Sequence, residues 1–216
     1  EKAKQESIDT IIEMGQYKEW AKCKVLIATG CLSERYKEEL LKEMPELDAV
    51  VGTGDYKSII EVIGQALEGE KISLYGNQEK IDIDILERYV STDKHTAYLK
   101  IAEGCDNKCT YCIIPTLRGK YRSRKFEEII KEAEGLASNG TKELIIIAQD
   151  TSVYGRDLYG KLMLPKLLKE IAKVEGIEWI RLMYAYPDEF SDELIEVMAS
   201  EEKICKYIDI PIQHGS

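Results

Sequence analysis

Short apolar runs alternate with segments of helical periodicity along this chain, and this alternation constrains the fold more than any other feature. Runs at 24–29 and 48–52 predict short buried strands of the parallel type. Apolar residues at helical spacing follow each run, and Ser33 and Asp55 are placed to cap the two predicted helices. The first part of the chain therefore predicts a layered α/β domain.

The same alternation restarts near residue 97 and is more regular there. Four strands separated by helical patterns are predicted at 98–102, 143–148, 178–184 and 207–212. Three strand–helix units and a fourth strand predict a parallel barrel or a doubly wound sheet, in which chemistry takes place at the carboxyl ends of the strands. Polar residues follow the predicted strands, among them Gln149 and Asp150 after the second and Gln213 and His214 after the fourth.

Residues 69–96 interrupt the alternation with glycines, mixed charges and only short apolar positions. We therefore predict part of an N-terminal α/β domain at 1–68, a linker at 69–96 and the first part of a barrel at 97–216. The chain begins without Met and ends directly after a strand-like run. For that reason we interpret it as a piece of a longer protein.

The composition and charge of the chain indicate its cellular location and exclude some classes of partner. Among 216 residues, 30 Lys and Arg stand against 40 Asp and Glu, and the net charge of −10 argues against a general phosphate-binding surface. No apolar run approaches the roughly 18 residues that a membrane span requires, and the N-terminus lacks the apolar core of a secretion signal. The sequence predicts a cytoplasmic protein without a membrane partner.

Three of the six cysteines, Cys105, Cys109 and Cys112, lie close together directly after a predicted strand. In a reducing cytoplasm this spacing indicates metal or redox chemistry rather than disulfides. A structural zinc site needs a second pair of ligands, but the chain has no second C-x-x-C or H-x-x-x-H motif and only two histidines, His95 and His214. A 4Fe-4S cluster held by three cysteines instead leaves one iron open. Incidental buried cysteines, zinc completed by a partner chain and a non-catalytic iron–sulfur protein are the alternatives.

The cysteine motif, with Tyr111 before its last cysteine, resembles the signature of radical S-adenosylmethionine (SAM) enzymes. The wider string over 97–124 resembles the methylthiotransferases among them. The resemblance implies a transferase with a partial (β/α) TIM-like radical SAM barrel, preceded by part of a small α/β methylthiotransferase N-terminal domain. It implies a 4Fe-4S cluster on Cys105, Cys109 and Cys112 whose open iron binds SAM and whose reduction cleaves SAM to a radical. It also implies an external low-potential electron donor.

The resemblance extends upstream to Cys31, which follows a predicted strand. In the family, three cysteines of the N-terminal domain hold an auxiliary 4Fe-4S cluster, so the full-length enzyme carries two clusters. Cys31 matches the last of these three cysteines, and the other two have no counterpart in this chain. Cys23 and Cys205 do not fit the motif and are interpreted as packing residues.

Two strand-end stretches bear on the substrate. Residues 147–155 and 207–214 resemble the branch of the family that modifies an aspartate β-carbon in a small-subunit ribosomal protein. The branch that modifies transfer RNA adenosines typically has Gly-Gln-Asn where this chain has Ala-Gln-Asp. We therefore predict a ribosomal protein as substrate, with transfer RNA adenosine as the alternative. Nucleic acid binding is expected only through a missing C-terminal part.

Residues near the predicted cluster are candidates for binding SAM, although the sequence identifies no catalytic residue. The basic stretch 116–125 follows the cysteine motif, and its Arg122 and Arg124 are candidates to pair with a carboxylate, with a solvated loop as the alternative. Polar residues at strand ends are further candidates, although such residues also satisfy loop backbone. The predicted cofactor-binding set is Tyr111, Arg122, Arg124, Gln149, Asp150, Gln213 and His214.

Overall fold

The structure is a computed structural model that describes residues 2–76, 90 and 93–211. The chain divides into two units by its internal contacts. The first unit comprises Glu1–Ile81 and Tyr111–Gly119, and the second comprises Asp82–Thr110 and Lys120–Ser216. In the described part of the chain, no helix is both long and apolar enough to cross a membrane.

A small parallel sheet forms the centre of the first unit. Its strands are β1 (Ile27–Thr29), β2 (Ala49–Val51) and β3 (Ile72–Leu74), in the order β1-β2-β3. The helices of this unit are α1 (Lys2–Trp20), α2 (Cys31–Glu43), α3 (Ile59–Leu67) and the short α4 (Ile114–Arg118).

Strand β2 is buried on both faces, as expected for a parallel strand that is covered by helices. Val50 packs with Leu40 of α2, and its neighbour Val51 packs on the opposite face with Val62 of α3. Both apolar runs contain parallel strands, as predicted, but only β2 is buried, since Ile27 and Ala28 of β1 are half-buried and Thr29 is exposed.

Three local predictions for the first unit are wrong. Helix α2 begins at Cys31, so Ser33 lies buried inside the helix and Gly30 takes the cap position. Asp55 precedes a 3₁₀ turn, and its carboxylate accepts a hydrogen bond from the Gly76 backbone instead of capping that turn. Strand β3 falls inside the predicted linker at 69–96, because its pairing with β2 extends the sheet beyond residue 68.

A second parallel sheet forms the centre of the second unit, in the order β4-β7-β8. Its strands are β4 (Thr96–Lys100), β7 (Glu143–Ile147) and β8 (Trp179–Leu182). The antiparallel pair β5 (Ala102–Glu103) and β6 (Arg122–Ser123) lies beyond β4 in the chain. The helices are α5 (Phe126–Ser138), α6 (Arg156–Tyr159), α7 (Leu164–Ala172) and α8 (Asp192–Ser200).

The two faces of this second sheet differ. Leu99, Leu144 and Ile180 point to one face and form a core with apolar residues of α5, α7 and α8. On the other face the side chains of Tyr98 and Trp179 are 55% and 57% exposed. Parallel strands with helices packed on one face are the arrangement of a (β/α) barrel wall. The predicted α/β class is confirmed.

The predicted fourth strand at 207–212 is wrong over 207–211, which has no strand in the structure, and residue 212 lies outside the described residues. The chain contacts β8 earlier than predicted. The Ile180 amide donates to the Lys203 carbonyl at 2.8 Å, and the Cys205 amide donates to the Ile180 carbonyl at 2.9 Å. Because residues 203–205 already satisfy this part of the β8 edge, the later apolar run is not needed for pairing.

Candidate functional site

The stretch that carries two of the clustered cysteines follows β5 directly. We define the cysteine loop as residues 104–110, all of which belong to the second unit. Residues 104–109 have no regular secondary structure, and Gly104 leaves β5 with a positive φ of 82°. Cys105 is buried and Cys109 is half-buried, whereas Cys112 lies in the segment that belongs to the first unit.

The donor set fits an iron–sulfur cluster in its chemistry. Thiols are the soft ligands that iron–sulfur clusters require, and no disulfide joins any of the cysteines in the described residues. Within those residues, no group of three His, Cys, Asp or Glu side chains is arranged to hold a metal ion. Cluster binding by Cys105, Cys109, Cys112 and Cys31 therefore stays a prediction.

Asp150, at the end of β7, lies against the cysteine loop. Its side chain is 3% exposed, and its Oδ2 accepts a hydrogen bond from Asn107 Nδ2 at 3.2 Å. Its Oδ1 accepts from the Ser152 amide at 3.1 Å and from the Ser152 hydroxyl. The structure thus brings the loop that follows β5 against the segment that follows β7, although the two strands belong to different sheets. Whether Asp150 contacts a cofactor stays a prediction.

A cavity of about 340 Å³ lies beside the cysteine loop within the second unit. It is lined by Cys105, Asp106, Asn107, Tyr121, Asp150, Val153, Arg156 and Asp157. This volume lies within the usual range of sites for small molecules. One buried thiol, three carboxylates and one guanidinium group line this cavity, so it is the candidate binding site of this unit.

Tyr121 is a cavity residue that the sequence analysis did not select. Its backbone amide donates to Asp106 Oδ1 at 3.0 Å, which ties the start of β6 to the cysteine loop. Its hydroxyl is buried without a hydrogen-bond partner among the described residues. Burial raises the pKa of this phenol strongly, and the negative charges of Asp150 and Asp157 raise it further. No sequence pattern marks such a residue, because only the tertiary structure brings β6 to the cavity.

Gln149 is held by Glu103 of β5. Its Nε2 donates to Glu103 Oε1 at 2.8 Å, and Lys100 Nζ lies 2.7 Å from Glu103 Oε2. Glu103 is buried, so this lysine and amide satisfy a carboxylate that has little access to water. In the structure Gln149 therefore binds Glu103, and its contact with a cofactor stays a prediction.

The two arginines of the basic stretch differ in position. Arg124 is 3% exposed, its Nη1 lies 2.7 Å from Glu132 Oε2 of α5, and the same nitrogen donates to the Lys100 carbonyl at 2.6 Å. The structure therefore places Arg124 in a buried ion pair, and Arg124 is not among the residues that line the cavity. Arg122 is half-buried, and its Nη1 donates to the Lys120 carbonyl at 2.8 Å. Their binding to SAM stays a prediction.

Cys31 and Tyr111 both belong to the first unit. Cys31 is exposed at the start of α2, and Arg118 Nε of α4 donates to its Sγ at 3.2 Å. The Thr53 hydroxyl donates to the Leu117 carbonyl at 2.7 Å, which also holds α4 in this unit. Tyr111 is 86% exposed. The predicted cofactor-binding residues Gln213 and His214 lie outside the described residues.

Two families match this chain. Residues 99–216, more than half of the chain, match the Radical SAM superfamily. Residues 1–52 match a family described as uncharacterized protein family UPF0004. Residues 53–98, which include β3 and the start of β4, lie outside both matches.

Curated relatives resemble the whole chain. The protein named ribosomal protein uS12 methylthiotransferase RimO is 58% identical in Thermoanaerobacter sp. (strain X514) and 56% identical in Clostridioides difficile (strain 630). The protein of that name in Caldanaerobacter subterraneus subsp. tengcongensis is 59% identical. Each match covers 100% of this chain and 49% of the relative, so the chain spans about half the length of these relatives.

Solved structures share the fold. The radical S-adenosylmethionine methyltransferase TsrM from Kitasatospora setae, with a tryptophan substrate and a SAM analogue bound, matches with a TM-score of 0.69. The match covers 98% of this chain and 45% of TsrM at 14% identity. A second TsrM structure, with cobalamin and a [4Fe-4S] cluster bound, matches with a TM-score of 0.64 over 87% of this chain and 42% of that one, also at 14% identity. At this identity the likeness concerns the fold alone.

Proposed function

The chain belongs to the radical SAM superfamily, and from that premise we propose that the protein containing it is a methylthiotransferase. Its substrate is an aspartate of ribosomal protein uS12, which receives a methylthio group on its β-carbon. The observation that carries the proposal is the 56–59% identity to proteins named uS12 methylthiotransferase, which extends over both units. The stretch 147–155, which resembles the ribosomal-protein branch, supports the same substrate.

The cofactors of the proposed enzyme are 4Fe-4S clusters and SAM. Cys105, Cys109 and Cys112 hold one cluster, and Cys31 contributes one ligand to an auxiliary cluster. When bound, the reduced cluster supplies the electron that cleaves SAM, which provides the radical needed to remove hydrogen from an unactivated carbon.

The residues of the chain position these groups and shape their surroundings. Cys105 lies at the wall of the cavity, and the hydrogen bonds of Asp106 and Asp150 hold the loop that carries it. Tyr121 lines the same cavity with a phenol whose pKa is raised by burial, so it stays neutral there. Helices α5, α7 and α8 cover one face of the β4-β7-β8 sheet with apolar side chains and exclude water from it.

The partners follow from the proposed reaction. A low-potential electron donor supplies the electrons, and the substrate is a protein of the small ribosomal subunit, which places the enzyme in the cytoplasm. The acidic composition of the chain argues against a nucleic-acid partner for these residues. No membrane partner is required.

Mass spectrometry tests the proposal. Peptides of uS12 and nucleosides of digested transfer RNA are compared between cells with the gene, cells without it and cells with a Cys109→Ala variant. We expect the methylthio group on uS12 to disappear in the deletion and in the variant, because the variant lacks one of the three predicted cluster ligands. Cys205→Ala is the matched control, since this half-buried cysteine lies outside the motif.

Two results would contradict the proposal. Loss of a methylthio group from the nucleosides, with uS12 unchanged, would assign the protein to the transfer RNA branch. Full modification of uS12 by the Cys109→Ala variant would refute the assignment of that cysteine to the cluster.

A further inference from the structure

The first two residues after Cys105 are each held by a side-chain hydrogen bond. Asp106 Oδ1 accepts from the Tyr121 amide at 3.0 Å, and Asn107 Nδ2 donates to Asp150 Oδ2 at 3.2 Å. Tyr121 lies at the start of β6, and Asp150 lies beyond the end of β7. Because residues 104–109 have no regular secondary structure, such long-range bonds decide where this part of the loop lies.

Asp150 is suited to act as the anchor of this arrangement. Its carboxylate is 3% exposed, and Ser152 occupies the oxygen that Asn107 does not use. The Ser152 hydroxyl in turn accepts from the Tyr186 amide at 3.3 Å, and the Thr151 hydroxyl donates to the Met183 carbonyl at 2.9 Å. The carboxylate is therefore fixed to the segment that follows β8, which leaves it little freedom to turn.

We propose that Asn107 and Asp150 are positioning residues for the cysteine loop. Asn107 lies midway between Cys105 and Cys109, so a fixed Asn107 side chain restricts the directions of both thiols. Cys105, Asn107 and Asp150 line the same cavity, so the bond also shapes the wall of that cavity beside the Cys105 thiol. The inference rests on the proposed function, since the geometry of the loop affects SAM binding only if its thiols hold the SAM-binding cluster.

A purely structural role would have different consequences. If the bond only stabilised the fold, its loss would lower the unfolding temperature of the iron-free protein and leave the assembled cluster unchanged. If the bond positions the loop, the assembled cluster itself should respond differently to SAM. The spectrum of the reduced cluster and its change on SAM binding therefore separate the two roles.

The experiment uses the full-length protein, reconstituted with iron and sulfide under anaerobic conditions. The variants are Asn107→Ala, Asp150→Ala and the double variant, and the control is Lys108→Ala, an exposed position in the same loop. Iron per chain is measured, and SAM is titrated against the electron paramagnetic resonance spectrum of the reduced cluster. The unfolding temperature of each iron-free protein is recorded as well.

We expect Lys108→Ala to behave as the unaltered protein does. Asn107→Ala should still bind iron but require about tenfold more SAM for the half-maximal spectral change. A tenfold change is of the size expected when one hydrogen bond to a charged group is lost. Adding Asn107→Ala to Asp150→Ala should have no further effect, because both changes remove the same bond.

An Asn107→Ala protein with an unaltered SAM titration would overturn the inference, as would fully additive effects of the two substitutions. If Asp150→Ala does not fold, the half-buried loop residue Asn107 decides the question alone. An unaltered protein that shows no SAM-dependent change in its spectrum would instead refute the proposed function, so the two failures are distinguishable.

Discussion

Two tyrosines buried in the second unit, Tyr121 and Tyr154, differ in what their hydroxyl groups contact. The Tyr154 hydroxyl donates to the Arg124 carbonyl at 3.0 Å. The Tyr121 hydroxyl has no such partner in the described part of the chain. Burial is the main cause that raises the pKa of both phenols, with nearby Asp150 as the next cause for Tyr121 and Tyr159 for Tyr154.

At neutral pH we expect Tyr121→Phe to change the free energy of unfolding by less than about 0.5 kcal/mol, because it removes a buried hydroxyl that has no hydrogen bond to lose. Tyr154→Phe should lower it by about 1 kcal/mol, since it leaves the Arg124 carbonyl without this donor. Urea unfolding of both variants measures the difference. Equal destabilisation by the two substitutions would contradict the assigned contacts.

The same two variants give a test at alkaline pH. A phenol in the unfolded chain ionises at its usual pKa of 10.0, whereas the folded state keeps both phenols neutral to higher pH. The stability that the neutral phenols contribute is therefore complete below pH 10 and falls as the pH rises above it. Each Tyr→Phe change should make that fall shallower by about 1.4 kcal/mol per pH unit. Parallel pH curves would exclude the raised pKa values.

At the scale of elements, the ion pair of Arg124 and Glu132 connects α5 to the sheet. The Arg124 side chain is 3% exposed, and its Nη1 contacts both the Lys100 carbonyl at the end of β4 and the Glu132 carboxylate of α5. A buried pair of this kind is sensitive to the loss of one partner, since the remaining charge stays buried without its counter-charge.

We expect Arg124→Met to lower the free energy of unfolding by about 3–5 kcal/mol. The double variant Arg124→Met/Glu132→Leu should recover most of this loss, because neither charge is then buried. Lys142→Met is the control, since the pair of Lys142 with Glu178 is exposed and worth less than about 1 kcal/mol. Chemical denaturation measures all three, and a loss no larger than the control's would contradict the buried pair.

Two glycines at the ends of the short helix α6 both require a positive φ, of 89° at Gly155 and 69° at Gly160. A Cβ atom at Gly155 would lie 2.6 Å from the Cβ of Met163, whereas at Gly160 it would meet no atom within 4 Å. Position 160 therefore requires glycine only for its positive φ. Position 155 requires glycine both for its positive φ and because Met163 leaves no space for a Cβ atom.

Gly160→Ala should lower the free energy of unfolding by about 1–2 kcal/mol, which is the strain of a left-handed residue with a Cβ. Gly155→Ala should lower it by a further 1–3 kcal/mol or so, because Met163 must also move. Urea unfolding of the two variants compares them directly. An equal loss of unfolding free energy in both variants would show that the Met163 side chain moves aside without strain.

At the scale of the whole molecule, charge argues against a nucleic-acid surface. The chain carries a net charge of −10, and its basic stretch at 116–125 is not an open row of cations. Arg124 pairs with Glu132 in the core, Arg118 donates to the Cys31 thiol, and Arg122 donates to the Lys120 carbonyl. Phosphate binding by this stretch would have to displace those contacts.

We expect this 216-residue chain to bind transfer RNA weakly, with a Kd above about 10 μM at physiological salt, in the range of non-specific binding. Filter binding at several salt concentrations measures the affinity and its salt dependence. A sub-micromolar Kd with a steep loss at high salt would reveal a phosphate-binding surface and would favour a transfer RNA substrate.

The sequence by itself determined the features that depend on local order. Apolar runs and helical spacing placed β1, β2, β4, β7 and β8 within a few residues of their positions, because the burial of a strand or helix face is written into consecutive side chains. The spacing of Cys105, Cys109 and Cys112, and their place after a strand, could also be predicted, since all three lie in one short segment.

Only the tertiary structure decided which distant groups meet. Asn107 and Asp150 are 43 residues apart in the chain. Arg124 pairs with Glu132 instead of joining an exposed basic stretch, because α5 packs next to it. The wrong predictions have the same origin: Asp55 bonds to Gly76 instead of capping a turn, and β3 joins the first sheet from within the predicted linker. Polar side chains have several acceptable partners, and the packed fold selects among them through distance and burial, which a linear pattern does not contain.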